Sequence, residues 1–174
     1  MILVTVGNHV EPFDRLIKGM DELAEQIDEE VVMQTGHCTY EPKYARHFPF
    51  TSGKEMLELT KAARVQVCHA GSGSILLALR MGKPLVVVPR RLKYHEHIDD
   101  HQLQLAGAVE KQGKLVVVHT ATPEALLTAI QKSTTLESVG QTDAPEMDHL
   151  LGTLRGYIAE WAIQKGGQHT GQGV

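Results

Sequence analysis

The residues most suited to chemistry form the segment HAGSGS, from His69 to Ser74, which follows a short apolar run at residues 65–68. The apolar run is typical of a buried strand, and residues 75–81 favour a helix. Backbone N–H groups at a helix N-terminus lack partners within the helix and attract anions such as phosphate. Two glycines would let a ligand approach the backbone closely, and two serine hydroxyls could donate hydrogen bonds. These four residues are Gly71, Ser72, Gly73 and Ser74. The segment predicts either a phosphate-binding turn or simply a tight strand-to-helix turn.

A second polar loop follows the next apolar run, at residues 85–88. Consecutive parallel strands place their following loops at the same carboxyl edge of a sheet, where ligands bind. Arg90, with Arg91 and Lys93, is therefore a candidate anion patch for a diphosphate or an acidic sugar, or else part of an exposed basic loop.

Histidines and carboxylates are dense in the same loop and could suggest a metal-dependent hydrolase. They lead into a helix and have no matching cluster elsewhere in the chain, so we expect a solvated loop and no metal ion. They are His95, Glu96, His97, Asp99, Asp100 and His101. His9 and His69 are candidate catalytic bases, and a hydrogen-bonded structural role is the alternative for each.

The surrounding elements are predicted from apolar runs and helical spacing. Three helix starts are marked by local chemistry: Ser52 with Glu55 forms a capping box, Asp99 or Asp100 is expected to cap the helix at 101–111, and Thr122 precedes Pro123. Strands are expected at residues 2–6, 31–35, 65–68, 85–88 and 115–118, with a short extended piece at 48–50 after an irregular segment at 37–47. Helices are expected at residues 13–26, 53–63, 75–81, 101–111 and 145–164, and a further helix is expected to begin at residue 123. The helix at 145–164 carries an apolar stripe, which could pack on the sheet or bind a partner.

This alternation predicts a single doubly wound α/β domain with a mainly parallel sheet and helices on both faces. We expect the domain to span residues 1–165, with a disordered tail at 166–174. The net charge of −4 argues against nucleic-acid binding, which usually requires a basic surface. No apolar run approaches the ~18 residues of a membrane span, and the N-terminus does not resemble a signal peptide. A cytoplasmic location is therefore expected.

Three segments resemble the C-terminal, donor-binding half of the MurG-type glycosyltransferases. They are VTVGNHVEPFDRL (4–16), CHAGSGSILLALRMGKPLVVVPRR (68–91) and EHIDDHQLQLA (96–106), in the family's order and spacing. The likeness covers about residues 1–130. It is greatest to short stand-alone members: soluble subunits of two-component bacterial polysaccharide glycosyltransferases, and of the split eukaryotic enzyme that builds dolichol-linked sugars.

The resemblance implies the Rossmann-like donor half of a GT-B enzyme that binds a UDP-sugar without cofactor or metal. Uracil would lie near Phe50 and Thr51. The diphosphate would lie at Gly71–Ser74, helped by the turn at Gly7, Asn8 and His9. The sugar would meet Glu96, His101 and Gln102.

The resemblance also implies an inverting transfer of a hexose, N-acetylhexosamine or uronic acid to a lipid-linked acceptor in polysaccharide biosynthesis. Longer members carry the acceptor site and general base in an N-terminal domain. Here a membrane-anchored partner would supply both, holding this chain at the inner face of the membrane. An acidic residue that grips the ribose in longer members is replaced by Leu77. A non-catalytic nucleotide-sugar-binding module is therefore the alternative function.

Overall fold

The computed structural model describes residues 1–136 together with Gly152 and Gly156. Its sheet has six strands, all parallel, in the order β3-β2-β1-β4-β5-β6. The strands are β1 (Ile2–Thr5), β2 (Val31–Gln34), β3 (Arg46–Phe48), β4 (Val65–His69), β5 (Leu85–Val88) and β6 (Val116–Val117). The order reverses between β1 and β4, so the crevice beyond their carboxyl ends is the switch point where such sheets bind ligands.

In the described region, four α-helices and one short 3-10 turn lie between strands, and a fifth α-helix follows β6. They are α1 (Asp14–Ala24), α2 (Gly53–Ala62), α3 (Ser72–Arg80), α4 (His101–Glu110) and α5 (Pro123–Ser133), with the 3-10 turn at Leu92–Tyr94. Residues of α1 and α5 pack on one face of the sheet, and residues of α2, α3 and α4 pack on the other. The expected doubly wound α/β fold is confirmed.

The local signals in the sequence account for several helix starts. The Ser52 hydroxyl accepts from the Glu55 N–H while the Glu55 carboxylate accepts from the Ser52 N–H, which is the predicted capping box. Thr122 caps α5 ahead of Pro123. Asp100 lies at the N-cap position of α4, but its carboxylate accepts instead from the Leu92 N–H.

Two boundaries differ from the sequence prediction in a way that matters for the site. α3 begins at Ser72, within the glycine-serine segment, so that segment forms the first turn of the helix. β3 begins at Arg46, inside the segment predicted as irregular, because its backbone pairs with β2 although its side chains are mostly exposed.

The predicted helix at 145–164, apart from Gly152 and Gly156, and the predicted tail at 166–174 lie outside the described residues. Within the part of the chain that is described, no helix is long and apolar enough to cross a membrane.

Candidate functional site

A cavity of about 300 Å³ opens at the switch point of the sheet, above β1 and β4 and between α2 and α3. It is lined by Thr5, Gly7, Asn8, Gln34, Phe50, Thr51, Met56, Gln66, His69, Gly71, Gly73, Ser74 and Leu77. A groove of about 800 Å³ lies between β3 and α2, but it is more open and contains neither glycine turn. We therefore place the candidate site in the smaller cavity.

Seven of the predicted substrate-binding residues meet in this cavity. They are Gly7, Asn8, Phe50, Thr51, Gly71, Gly73 and Ser74. They come from three chain segments, and β1, β3 and β4 bring these segments together because parallel strands end at one edge. The remaining predicted residues do not line the cavity: they are His9, Ser72, Arg90, Glu96, His101 and Gln102.

The N-terminus of α3 forms one wall of the cavity. No side chain caps this helix at Gly71, whereas Ser52 caps α2. Gly73 has ample room, because a Cβ atom added there would meet nothing within 4 Å, and its φ is not positive. The fold therefore does not require glycine at position 73, and the open backbone is suited to a ligand.

His69 lies between the two glycine turns. A Cβ on Gly7 would come within 2.6 Å of the imidazole Cε1, and a Cβ on Gly71 within 2.2 Å of Nε2. Gly7 also has a φ of +77°, which favours glycine. Glycine is therefore needed at both positions, because a side chain at either one would clash with the His69 ring. Burial, reinforced by the positive charge of Arg90, lowers the pKa of His69 to about 4, so the ring is neutral near pH 7.

Gln34 supports the cavity from the end of β2, a role that sequence reasoning missed. Its Oε1 accepts from the N–H groups of Val6 and Gly7 at 3.1 and 3.0 Å. Its Nε2 donates to the carbonyls of Gly7 and Pro49 at 3.1 and 2.9 Å. The amide thus ties the first glycine turn to the segment that carries Phe50. A glutamine closing an otherwise apolar strand was the available signal.

Arg90 does not form the expected anion patch. Its side chain is only 1% exposed, and its guanidinium donates to the carbonyls of Val6, Glu11 and Glu96 at 2.7–3.0 Å. It also lies over the Phe13 ring, 4.7 Å from the centroid. These contacts hold the loops after β1 and β5 together, so Arg90 has a structural role and does not face a ligand.

Glu96 is likewise engaged within the protein rather than open to a sugar. Its two carboxylate oxygens accept from Arg15 Nε and an Arg15 terminal nitrogen at 2.8 and 2.9 Å, and one also accepts from the Arg91 N–H. Gln102 is 7% exposed, and its Oε1 accepts from the Arg90 N–H. His101 begins α4, and its N–H donates to Asp99. The loop expected to meet the sugar is therefore built around internal contacts.

His9 follows Asn8 of the cavity lining and contacts other side chains. Its Nδ1 lies within hydrogen-bond distance of the Glu11 carboxylate, and its ring lies 4.5 Å from that of His97. Burial, together with His97 and opposed by Glu11, lowers the pKa of His9. Among the residues that the structure describes, no three His, Cys, Asp or Glu side chains are grouped so as to hold a metal ion.

A family model and curated relatives match this chain. Residues 1–149 match the model of the glycosyltransferase family 28 C-terminal domain. A mouse protein, UDP-N-acetylglucosamine transferase subunit ALG13, is 38% identical over 90 residues, covering 49% of this chain and 7% of the mouse protein. The subunit of the same name from Eremothecium gossypii is 41% identical over 87 residues, covering 50% of this chain and 40% of that protein. The matched region is thus well under two thirds of either relative.

Solved structures show the same fold at low sequence identity. The NMR structure of ALG13 superposes with a TM-score of 0.57 and 20% identity, covering 86% of this chain and 94% of that one. MurG from Acinetobacter baumannii superposes with a TM-score of 0.57 and 17% identity, covering 88% of this chain and 49% of that one. Since the family model matches most of the chain, this protein belongs to the glycosyltransferase family 28 C-terminal domain family.

Proposed function

We propose that this chain is the donor-binding subunit of an inverting glycosyltransferase and that the switch-point cavity holds the UDP part of a nucleotide sugar. The observation that carries the proposal is the meeting of Gly7, Phe50 and Gly73 in one cavity beside the N-terminus of α3. A glycine-lined cavity at a helix N-terminus is suited to a nucleoside diphosphate.

The diphosphate would lie against the first turn of α3, where backbone N–H groups and the Ser74 hydroxyl can donate hydrogen bonds. The exposed ring of Phe50 offers an apolar surface for the base. During transfer an acceptor hydroxyl attacks the anomeric carbon, the bond to UDP breaks, and the configuration inverts. The helix N-terminus stabilises the negative charge that develops on the departing UDP, without a metal ion.

The general base is expected on a partner rather than on this chain. His69, with a pKa of about 4, is a poor proton acceptor near pH 7, and it is enclosed by Gly7 and Gly71. His9 does not line the cavity. We therefore propose a membrane-anchored, acceptor-binding partner that presents a lipid-linked acceptor at the cytoplasmic face, and little activity from this chain alone.

The donor sugar is proposed to be N-acetylglucosamine, which the names of the mouse and Eremothecium gossypii relatives contain. A uronic acid is less well supported, because the Arg90 guanidinium that could have met its carboxylate is buried against three carbonyls.

Calorimetric titration of the purified chain tests donor binding. With EDTA present, we expect UDP and UDP-N-acetylglucosamine to bind, and ADP, GDP and UDP-glucuronic acid to bind more weakly. Absence of UDP binding, with and without the partner, would overturn the proposal.

A transfer assay separates the enzyme from the alternative, a nucleotide-sugar-binding module without turnover. The partner-containing complex should transfer sugar from UDP-N-acetylglucosamine to a lipid-linked acceptor, whereas either component alone should not. Tight UDP binding without transfer by the complex would favour the binding module.

A further inference from the structure

Gln66 places an amide on the floor of the cavity, within an otherwise apolar part of the sheet. It lies on β4 in register with Leu3 of β1 and Leu85 of β5, which are both fully buried. Gln66 itself is 1% exposed. Its Nε2 lies 3.4 Å from the Thr5 hydroxyl, a long hydrogen bond, and its Oε1 has no partner among the residues that the structure describes.

The fold alone gives no reason for this amide. A buried polar atom without a partner is destabilising, and an unbranched apolar side chain of the same length would fit between the two leucines. Gln34, the other buried amide in the cavity, uses both of its ends in hydrogen bonds with the backbone. Gln66 is therefore the buried amide in this cavity with hydrogen-bonding capacity to spare.

The position of Gln66 indicates which part of a nucleotide it would meet. The side walls beside it, Met56 of α2 and Leu77 of α3, are apolar. Phe50 lines the cavity on the side of β2, and Gly73 lines it at the start of α3. If the base lies at Phe50 and the phosphates lie at Gly73, the ribose must lie between them, because it joins the two covalently.

We infer that Gln66 binds a ribose hydroxyl of the nucleotide ligand and makes the cavity selective for ribonucleotides over deoxyribonucleotides. This inference rests on the proposed function. A hydroxyl can donate to Oε1 or accept from Nε2, so it matches the amide in either of its two orientations. The uracil imide could also pair with an amide, but the base is placed at Phe50 in this arrangement, which leaves the ribose next to Gln66.

The test compares UDP, 2′-deoxy-UDP and 3′-deoxy-UDP by calorimetry on the wild-type chain and on Gln66→Met, which has a similar length and no hydrogen-bonding amide. We expect the wild type to bind UDP about tenfold more tightly than one of the two deoxy analogues, the usual effect of one hydrogen bond to a buried group. Gln66→Met should lose this preference by weakening UDP binding alone, while its affinity for that analogue stays near the wild-type value.

Thr60→Val is the matched control. The Thr60 hydroxyl is also buried and without a partner, but it lies outside the cavity lining. This variant should keep the full ribose preference. Neither variant should have a lower melting temperature than the wild type, because each removes an unpaired buried polar atom.

The outcomes separate this inference from the proposed function. A folded Gln66→Met protein that keeps the wild-type affinity for UDP, or that weakens all three ligands equally, would overturn the ribose contact alone. A wild-type chain that binds none of the three ligands would overturn the proposed function and this inference with it.

Discussion

The imidazole of His69 lies so close to Gly71 that a Cβ atom on Gly71 would come within 2.2 Å of Nε2. On the other side of the ring, Gly7 is almost as close. The histidine at the end of β4 thus sets the separation of the two glycine turns that form the cavity. This close packing explains why two glycines that look alike in the sequence, Gly71 and Gly73, have different roles.

The two glycines should respond in opposite directions to alanine. Gly71→Ala forces the His69 ring or the turn to move, and we expect the free energy of unfolding to fall by about 1–3 kcal/mol. Gly73→Ala adds a methyl group in open space within α3 and should raise it by about 0.5 kcal/mol. Urea denaturation measures both, and equal effects would contradict the distinct roles.

A bulkier side chain at position 73 should separate folding from ligand binding. Gly73→Val places two methyl groups where the ligand would approach α3, so UDP affinity should fall at least about tenfold while the protein stays folded. Gly107→Val in α4 is the control, since its Cβ is equally unobstructed and Gly107 lies outside the cavity. Calorimetry with UDP checks the pair. Retained affinity in a folded Gly73→Val protein would remove this turn from the site.

The Arg15–Glu96 pair should matter for stability rather than for sugar recognition. Glu96→Gln loses the charge that Arg15 engages through two hydrogen bonds, and we expect a loss of about 2 kcal/mol in the free energy of unfolding. Glu58→Gln, which breaks an exposed pair with Lys61, should cost less than about 0.5 kcal/mol. The ratio of UDP-N-acetylglucosamine to UDP affinity should stay unchanged in Glu96→Gln. A selective loss of the sugar-bearing ligand would restore Glu96 to the site.

His69 should make the protein less stable in mild acid. Its pKa is about 4 when folded and near 6.5 when unfolded, so between these values the unfolded chain binds more protons. The contribution of neutral His69 to the free energy of unfolding is fully present above pH 6.5. It is lost as the pH falls towards 4, by about 2–3 kcal/mol. Unfolding measured from pH 7.5 to 4 should show a shallower slope for His69→Asn. His47→Asn, on the exposed edge strand β3, should keep the wild-type slope.

Asp21 should hold the loop between β2 and β3 against α1. Its fully buried carboxylate accepts from the Tyr40 hydroxyl and from the N–H groups of Lys43, Tyr44 and Ala45. Asp21→Asn replaces one acceptor oxygen with an NH₂ group, which would face these N–H and O–H donors. We therefore expect the free energy of unfolding to fall by about 2–3 kcal/mol. Thermal unfolding measures it, with the exposed Asp28→Asn as control. An unchanged melting temperature for Asp21→Asn would contradict this role.

The elements of this fold could be predicted because their signals are local. The capping box at Ser52, the Thr122-Pro123 start of α5 and the apolar run of β4 each depend on neighbours a few residues away. Their alternation then restricts the sheet to parallel connections, and parallel strands collect the turns at Gly7 and Gly71 at one edge. The cavity and much of its lining follow from the sequence alone.

The roles of the charged and amide side chains depended on the tertiary structure. Glu96 pairs with Arg15 across 81 residues, and Arg90 reaches the Val6 carbonyl across 84. Nothing near these residues in the sequence indicates such partners, so the sequence predicted exposed ligand contacts. The roles of Gln34 and Gln66 in the cavity could be recognised only from the folded sheet, in which β1, β2 and β4 lie side by side. Sequence determines which segments form strands and turns because backbone preferences are local. Only the folded chain decides which polar groups are satisfied internally and which are left for a ligand, because hydrogen bonding in a buried site depends on groups that folding brings together.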